Sequence, residues 1–568
     1  MSRTFTQALQ QIALESPQRI TVTLLHRKSA PQTISYQKLF YGAAAYAQAL
    51  EQAGIQPKEV VIIILDYGDA LLYAFWGCIL RGAIPSIMPF LTEKLSPEHY
   101  RKALQALIDI SSPSAIITYA DFLPEVQQAV QPQSSVRAIL DSASIPSLTP
   151  FHIDKAMPQD TTPMKGLSAQ EDDIVLLQHS SGTTGLQKGV ALSHRAVFNQ
   201  LESYAQAIDL KADKDVIVSW LPLYHDMGLI AGFIMPIFCR VPLVLMSPFE
   251  WVRAPLMLFH AISTYKGTLT WLPNFAYHFC SQKTREADME GVDLSSLRAV
   301  INCSEPMYQY SHEMFLARFR PYGLREQALA TCYAMAENVF AVTQGGIHEQ
   351  VNIDTISQAA FTNTHTAKPA EAGDVILPMV SAGKPIPQVE VRVLHEKTHH
   401  PLPERQVGEI ALRSNCMLSG YYHRADATAE AFHEGWLLTG DLGYIANGEV
   451  YISGRKKDLI IVGGKNVYSR DLENIVNDVE GVHNGRVAAF GMPNQLSGTE
   501  DVIIVAEEEE TNSNREEIAE VVRLAIAKST DVIVRQVHIV ERGWLLKTSS
   551  GKVSRSANRE KYLAEMDK

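Results

Sequence analysis

Short apolar runs alternate with helix-periodic stretches over most of the chain. Strands are predicted where such runs are almost wholly apolar, at residues 60–65, 174–177 and 216–218. A first helix is predicted where apolar side chains recur at helical spacing, at Phe5, Leu9, Ile12 and Ala13. A longer helical stretch covers residues 36–53 and is predicted to end at Gly54. This alternation predicts an α/β fold with layered, mostly parallel sheets.

Residues 229–246 are almost all apolar and have the composition of a membrane span. Arg240 would place a charge in lipid, and Pro236 and Pro242 would interrupt a spanning helix. A buried helix followed by a core strand is therefore predicted, with no membrane span.

The length of 568 residues exceeds what one core usually holds, so at least two domains are expected. A turn-rich stretch gives way to a new apolar run, which predicts an N-terminal domain at 1–454, a hinge at 455–458 and a small C-terminal α+β domain at 459–568. Residues 344–374 are predicted to be loop, and the four glutamates at 507–510 are predicted to form a solvated turn.

Composition and charge narrow the class of protein. Apolar residues make up 46% and charged residues 20%, which is typical of a globular protein. With 50 Lys and Arg against 62 Asp and Glu, the net charge of −12 argues against a general nucleic-acid binder. The six cysteines are far apart and show no CxxC spacing, so a reduced, cytoplasmic protein is expected.

The most specific local signal is the segment 180–190, SSGTTGLQKGV, which follows a predicted strand and precedes a predicted helix. Its small residues let backbone N–H groups approach an anion, and Lys188 supplies a positive charge for a polyphosphate. The residues expected to contact phosphate are Ser181, Gly182, Thr183, Thr184, Gly185 and Lys188. The alternative is a flexible Ser/Gly turn, which would not need a lysine flanked by glycine.

The segment is not a Walker A loop, because Gln187 stands five residues after Gly182, where that motif does not allow it. It resembles the [ST]SG[ST]TGxPKG signature of the adenylate-forming enzymes, with Gln187 in place of proline. Further segments resemble motifs of that family in family order: LPLYHDMGL at 221–229, NCSEP at 302–306, YAMAE at 333–337, LTGDLG at 438–443, GRKKD at 454–458 and KTSSGK at 547–552. Each motif residue alone could be an ordinary surface or turn residue, but the six in this order favour the family.

The resemblance implies an enzyme that uses ATP and Mg²⁺. A carboxylate approaching the α-phosphate is repelled by the triphosphate, so the site must supply cations, for which Lys188, Lys552 and a magnesium ion held by Glu337 and Thr184 are the candidates. The resemblance also implies that Asp441, with Arg455, binds the ribose hydroxyls. The remaining residues it implies for the nucleotide are Ser304, Glu305, Pro306, Tyr333, Ala334 and Met335.

Besides Gln187, three residues depart from the family pattern: Ala334 replaces the usual Gly, Ala336 replaces the usual Thr, and Leu546 stands where Pro often precedes the lysine motif. The resemblance further implies that Lys457 is the pivot of the hinge.

The substrate follows from the carboxylate-site segment. Amino-acid-activating members of the family have an aspartate where this chain has His225, a candidate catalytic residue, so an amino acid is disfavoured. The residues predicted to line an acyl pocket are Asp226, Met227, Gly228, Gly232, Phe233, Asn274 and Phe275. Segments 220–230, 272–277 and 457–462 are similar to fatty acyl-AMP ligases, as is the long connection that contains residues 344–374.

This closer resemblance implies that a fatty acid is activated and then transferred to the phosphopantetheine of an acyl carrier protein from a lipid, polyketide or lipopeptide pathway. Three alternatives stay open at this point: an acyl-CoA synthetase, an adenylate-binding scaffold with a decayed site, and an unrelated phosphate-binding protein. The scaffold would be expected to lack Glu337, Asp441 or Lys552, and all three are present.

Overall fold

The computed structural model of the protein describes residues 3–89, 97–145, 161–179, 188–305, 307–462, 465–494, 499–510, 514–530, 532–548 and 551–566. The helices are α1 (Phe5–Glu15), α2 (Tyr36–Gln52), α3 (Asp69–Arg81), α4 (Pro97–Ser111), α5 (Leu123–Ala129), α6 (His194–Ala207), α7 (Met235–Phe238), α8 (Pro248–Arg253), α9 (Leu256–Tyr265), α10 (Asn274–Lys283), α11 (Gln309–Phe319), α12 (Gln358–Thr364), α13 (Ala425–Ala431), α14 (Ser469–Asn477), α15 (Arg515–Ser529) and α16 (Arg555–Met566). A π-helix at Met227–Ile234 leads into α7.

The strands are β1 (Ile20–His26), β2 (Ser29–Ser35), β3 (Val60–Ile63), β4 (Ile84–Ile87), β5 (Ala115–Thr118), β6 (Ala138–Asp141), β7 (Ile174–His179), β8 (Gly189–Ser193), β9 (Ile217–Ser219), β10 (Leu243–Met246), β11 (Leu269–Leu272), β12 (Ala299–Cys303), β13 (Leu329–Ala334), β14 (Ala341–Gly345), β15 (Ile353–Ser357), β16 (Ile376–Val380), β17 (Lys384–Pro385), β18 (Val389–Leu394), β19 (Gly408–Ser414), β20 (Gly420–Tyr421), β21 (Phe432–His433), β22 (Trp436–Ala446), β23 (Glu449–Arg455), β24 (Leu459–Val462), β25 (Lys465–Tyr468), β26 (Val482–Asn494), β27 (Thr499–Glu508) and β28 (Val534–Val540).

Two sheets with parallel cores carry the first part of the chain, as predicted. The larger has the order β17-β14-β13-β12-β11-β9-β10-β1-β2, and the strands from β13 to β1 in this order run parallel. A second sheet, β4-β3-β5-β6, is wholly parallel. Its strand β3 is buried along its whole length, in accordance with the continuous apolar runs of strands covered on both faces. The predicted α/β fold class is therefore confirmed.

Residues from 460 onwards build hydrophobic clusters of their own, centred on strands β26-β27-β28 and helices α14 and α15. The main cluster of the first part draws its buried side chains from residues up to Val450.

The segment 229–246 folds as predicted, into buried helical turns followed by strand β10. Arg240 lies between them at a positive φ of 58°, in the turn that leads back to the sheet. Across the described residues, every helix is too short or too polar to cross a bilayer. The four apolar positions of α1 are buried, also as predicted.

Two local predictions are wrong. The segment 344–374 is not simply a loop, because it contains β15 and α12, and it buries Ile356 and Phe361. The glutamates at 507–510 do not all lie in a solvated turn, because Glu507 and Glu508 end strand β27 and are buried. Both carboxylates have partners in the fold. Arg515 forms an ion pair with Glu508, and the Glu507 carboxylate accepts a hydrogen bond from the Leu545 N–H.

An ion pair between a buried carboxylate and a half-buried guanidinium joins the starts of three neighbouring strands of the large sheet. Arg298, before β12, donates two hydrogen bonds of 2.7 Å to the Asp215 carboxylate, before β9. Thr268, before β11, donates a third, also 2.7 Å long. Burial acts to raise the pKa of Asp215, but these hydrogen bonds outweigh it and hold that pKa below its usual range.

Asp215→Ala is expected to lower the free energy of unfolding by about 2–3 kcal/mol, because it removes three hydrogen bonds to a buried carboxylate and leaves a half-buried guanidinium without its counter-charge. Urea denaturation measures the change, and Asp288→Ala, in an exposed ion pair, should cost less than about 1 kcal/mol. Because the folded-state pKa of Asp215 is lowered, its contribution is present at neutral pH and is lost as the pH falls through that pKa. Equal losses in the two variants would contradict this role.

Candidate active site

Four of the predicted site residues collect at one edge of the large sheet. Strands β9, β11, β12 and β13 are parallel neighbours, and the carboxyl end of each leads into a predicted motif. His225 follows β9, Asn274 follows β11, Ser304 follows β12 and Glu337 follows β13. Carboxyl ends of parallel strands share one edge of a sheet, which is where α/β proteins bind ligands.

Most of the predicted phosphate loop lies outside the described residues, including Ser181, Gly182, Thr183, Thr184 and Gly185. The flanking strands β7 and β8 form an antiparallel pair, and α6 begins after Ser193 as expected. Lys188 belongs to the described residues and is half-buried. Its Nζ lies 4.5 Å from the centroid of the Tyr421 ring.

Glu337 lies in a short 3₁₀ turn just after β13. Its Oε1 accepts a hydrogen bond of 2.9 Å from the Tyr421 hydroxyl. Two residues later, Val339 adopts φ 64° and ψ −51° and is bridged by a 2.7 Å hydrogen bond from Phe340 N–H to the Asn338 carbonyl. This is the rare, strained hand of γ-turn, and a β-branched residue there indicates that the surroundings impose the conformation on the site.

Tyr333, Asp441 and Arg455 form one hydrogen-bonded group. Asp441 and Arg455 face each other across strands β22 and β23, and Arg455 Nε donates to Asp441 Oδ1 over 3.0 Å. The Tyr333 hydroxyl donates to Asp441 Oδ2 over 2.6 Å. Burial and the neighbouring Asp441 raise the pKa of Tyr333 well above its usual value, so its hydroxyl remains a donor. The carboxylate is thus fixed from both sides.

Lys552 joins this edge of the sheet from the far end of the chain. Its Nζ donates a hydrogen bond to the Ser304 carbonyl oxygen, a contact across 248 residues of sequence. Ser304 has a positive φ of 68°, rare for a residue with a side chain. Pro306, next but one along the chain, is outside the described residues. The Glu305 carboxylate accepts a hydrogen bond of 2.8 Å from the Phe275 N–H.

His225 and Asp226 lie within the electrostatic reach of Lys552. Burial, with a contribution from the charge of Lys552, lowers the pKa of His225 to about 4, so its imidazole is neutral at neutral pH. Its Nε2 is buried and has no hydrogen-bond partner among the described residues. Burial raises the pKa of Asp226 to about 6, although the Met227 N–H and Lys552 oppose the rise.

The residues predicted to line the acyl pocket differ in exposure, because some pack inside the protein and Phe275 is exposed. Gly228 and Gly232 let the π-helix approach the end of β9 and the residues that follow it. A Cβ at Gly228 would come within 2.1 Å of the Pro222 carbonyl oxygen, and a Cβ at Gly232 would come within 2.8 Å of Ser219 Oγ. Phe233 packs on aromatic rings of α3. Phe275, by contrast, is 39% exposed and lies at the site edge.

Three aromatic residues at this edge were not predicted from the sequence as site residues: Trp220, Trp251 and Tyr421. Trp220 and Trp251 stack with ring centroids 3.5 Å apart, and Phe275 lies 6.2 Å from Trp220 and 6.3 Å from Trp251. Trp220 directly precedes the carboxylate-site segment, which was a usable signal. Trp251 and Tyr421 carried none, because only the fold brings them beside the motifs.

The chain is similar to known proteins over nearly its whole length. The profile of the family described as AMP-binding enzyme matches residues 9–422. The medium-chain-fatty-acid–[acyl-carrier-protein] ligase JamA of Moorena producens is 30% identical over 547 residues, which cover 94% of this chain and 90% of JamA. The long-chain-fatty-acid–AMP ligase FadD26 of Mycobacterium bovis is 30% identical over 590 residues, which cover 98% of this chain and 97% of FadD26.

Two solved structures are similar to this chain in fold over nearly its whole length. A structure from a study of fatty acyl-adenylate ligases from E. coli and L. pneumophila superposes with a TM-score of 0.89 at 26% identity, covering 99% of this chain and 98% of that one. The L. pneumophila fatty acyl-adenylate ligase in complex with acyl adenylate and pyrophosphate superposes with a TM-score of 0.74 at 28% identity, covering 99% and 96%.

Proposed function

Because the chain belongs to the family of AMP-binding enzymes, we propose that it is a ligase that activates a fatty acid with ATP and passes the acyl group to an acyl carrier protein. In the first step a carboxylate oxygen attacks the α-phosphorus, the bond from that phosphorus to the bridging oxygen breaks, and pyrophosphate leaves. In the second, the phosphopantetheine thiol attacks the acyl carbonyl carbon, its proton is lost, and AMP leaves.

The contact between Lys552 and Ser304 carries this proposal. It brings a cation from the C-terminal part of the chain to the sheet edge where His225 and Glu337 also lie. A positive charge placed there offsets the negative charge that grows on departing pyrophosphate. The neutral imidazole of His225, whose Nε2 has no partner among the residues that the structure describes, can hydrogen-bond the substrate carboxylate without forming a competing ion pair.

The nucleotide is assigned to the group around Asp441. Its carboxylate, fixed by Tyr333 and Arg455, can accept hydrogen bonds from ribose hydroxyls. The Tyr333 hydroxyl donates to Asp441, and the ring of Tyr333 is proposed to contact adenine. Ser304, Glu305, Ala334 and Met335 border the same edge and are proposed to contact the base and the α-phosphate.

Glu337 fits the magnesium ion that the family uses. Its carboxylate is half-buried and is held by a neutral donor rather than by a cation, so its charge remains available. Single carboxylate ligands suit Mg²⁺, which also binds substrate phosphates and water. When bound, the ion would neutralise phosphate charge at this position.

The hinge proposal centres on Lys457. Its neighbour Lys456 donates a hydrogen bond of 2.8 Å to Glu409 of β19, in the first part of the chain. Its other neighbour, Asp458, forms an ion pair with Arg555 of α16, in the last part. Because the flanking residues are tied to different parts, rotation about Lys457 would move residues 459–568 relative to residues 1–454.

The carrier protein is favoured over CoA by the segment 344–374. Its helix α12 packs on β25, with the Phe361 and Tyr468 ring centroids 5.8 Å apart. Gln358, also in α12, donates a hydrogen bond of 3.4 Å to the Ser529 carbonyl at the end of α15. These contacts can restrain the rotation that exposes the adenylate to CoA. A cytoplasmic lipid, polyketide or lipopeptide pathway is proposed as the setting.

Mass spectrometry of products tests the proposal. A panel of fatty acids is incubated with ATP and Mg²⁺, with CoA and holo-carrier protein supplied separately. We expect acyl-AMP in every productive reaction and an acyl thioester only on the carrier protein. A CoA thioester formed at a comparable rate would favour an acyl-CoA synthetase, and the absence of any acyl-AMP would overturn the proposal.

A further inference from the structure

Tyr421 contacts two charged side chains to which the proposed function assigns different tasks. The Nζ of Lys188 lies over its ring, 4.5 Å from the centroid. Its hydroxyl donates a hydrogen bond of 2.9 Å to the carboxylate of Glu337. One aromatic side chain therefore contacts both a lysine proposed to bind phosphate and a glutamate proposed to bind the divalent cation.

The backbone fixes this arrangement as well. Tyr421 belongs to β20, which pairs with β8, so that Tyr421 lies opposite Val190, two residues after Lys188. The Leu418 N–H, three residues before Tyr421, donates a hydrogen bond of 2.8 Å to the Glu337 carbonyl oxygen. The short segment 418–421 is thus joined to both motifs by main-chain hydrogen bonds.

Lys188 and Glu337 have opposite charges and would attract each other in a half-buried site. A direct ion pair would use up the lysine donors and the carboxylate oxygens, which the phosphate and the cation need. No ion pair between Lys188 and Glu337 is found among the described residues, and both side chains contact Tyr421. A ring face and a hydroxyl are weaker partners, which a ligand can displace or share.

We propose that Tyr421 is a positioning residue that keeps Lys188 and Glu337 apart and holds each in place, the lysine by the ring and the carboxylate by the hydroxyl. This inference rests on the proposed function, since it assigns phosphate to Lys188 and the divalent cation to Glu337.

Two substitutions separate the two contacts. Tyr421→Phe keeps the ring and removes the hydroxyl, so ATP binding in EDTA, measured by calorimetry, should change less than about twofold. Mn²⁺ binding to the enzyme with ATP, followed by electron paramagnetic resonance, should weaken about tenfold. Tyr421→Leu removes both contacts and should also weaken ATP binding in EDTA, by about three- to tenfold. Tyr422→Phe, at the adjacent residue, is the matched control and should leave both constants unchanged.

A double variant tests the separation itself. In Tyr421→Leu, Lys188 is expected to pair with Glu337, so adding Glu337→Gln should restore ATP binding in EDTA to within about twofold of the wild type. A merely structural role for the tyrosine gives no such rescue. Wild-type Mn²⁺ binding in Tyr421→Phe, or no rescue in the double variant, would overturn the inference. The proposed function fails separately, if the wild-type enzyme makes no acyl-AMP.

Discussion

Lys552→Ala is expected to lower the rate of acyl-AMP formation by at least about 10²–10³-fold, the usual effect of removing one preorganised electrostatic contact from a transition state. The lysine comes from the last part of the chain, and its Nζ donates a hydrogen bond to the Ser304 carbonyl oxygen. Because it acts on the developing charge of pyrophosphate, kcat should fall far more than the KM for the fatty acid rises.

Fatty-acid-dependent pyrophosphate–ATP exchange measures this loss. The melting temperature should stay close to that of the wild type, since a half-buried lysine with one hydrogen bond contributes little to stability. Lys528→Ala, at an exposed position of α15, is the control and should exchange normally. Synthetic acyl-AMP should still acylate the carrier protein in the Lys552 variant, because that step releases no pyrophosphate. Normal exchange in Lys552→Ala would refute the assignment.

Weakening the contact between α12 and β25 is expected to let the enzyme form acyl-CoA, a product that the wild type is proposed not to form. Phe361 is 3% exposed and belongs to a buried cluster that includes Tyr444, Tyr451 and Tyr468. Phe361→Ala should cost about 3–5 kcal/mol of packing, part of which now holds the C-terminal part in place. Each 1.4 kcal/mol removed from that restraint raises the rotated population about tenfold.

The point substitution is a sharper test than deleting residues 344–374, because the deletion would also remove the end of β14 from the large sheet. Acyl-CoA is followed by mass spectrometry beside acyl-AMP. Phe122→Ala, in a separate buried cluster near β5, is the matched control, since it weakens packing without touching the C-terminal part. Continued adenylation with no CoA product, in both Phe361→Ala and a still-folded deletion, would contradict the restraint.

The motifs were readable from sequence because their chemistry depends on residue type and spacing. Small residues around Lys188, a carboxylate after a strand and a lysine near the C-terminus are each suited to proposed tasks that few other residues can perform. The strands were equally readable, since a strand buried on both faces, such as β3, needs an unbroken apolar run. The order of six motifs then led to the family, as the family profile and the relatives confirm.

The errors have a common physical origin. Residues 344–374 have a loop-like composition, yet Ile356 and Phe361 are buried in a cluster whose members include Leu442, Tyr444 and Tyr468, more than 80 residues away along the chain. The glutamates at 507 and 508 carry the charge of a solvated turn, yet Arg515 and a backbone N–H make their burial tolerable. Local composition cannot report partners that only the fold supplies.

The sequence by itself determined the α/β layers, the order of the motifs and the chemical groups present at the site, because these depend on local pattern and residue type. Only the tertiary structure decided that Lys552 reaches Ser304, that Tyr333 and Arg455 fix Asp441, and that Tyr421 contacts both Lys188 and Glu337. These contacts join residues far apart in the chain, and their geometry is set by strand pairing and burial rather than by neighbouring residues.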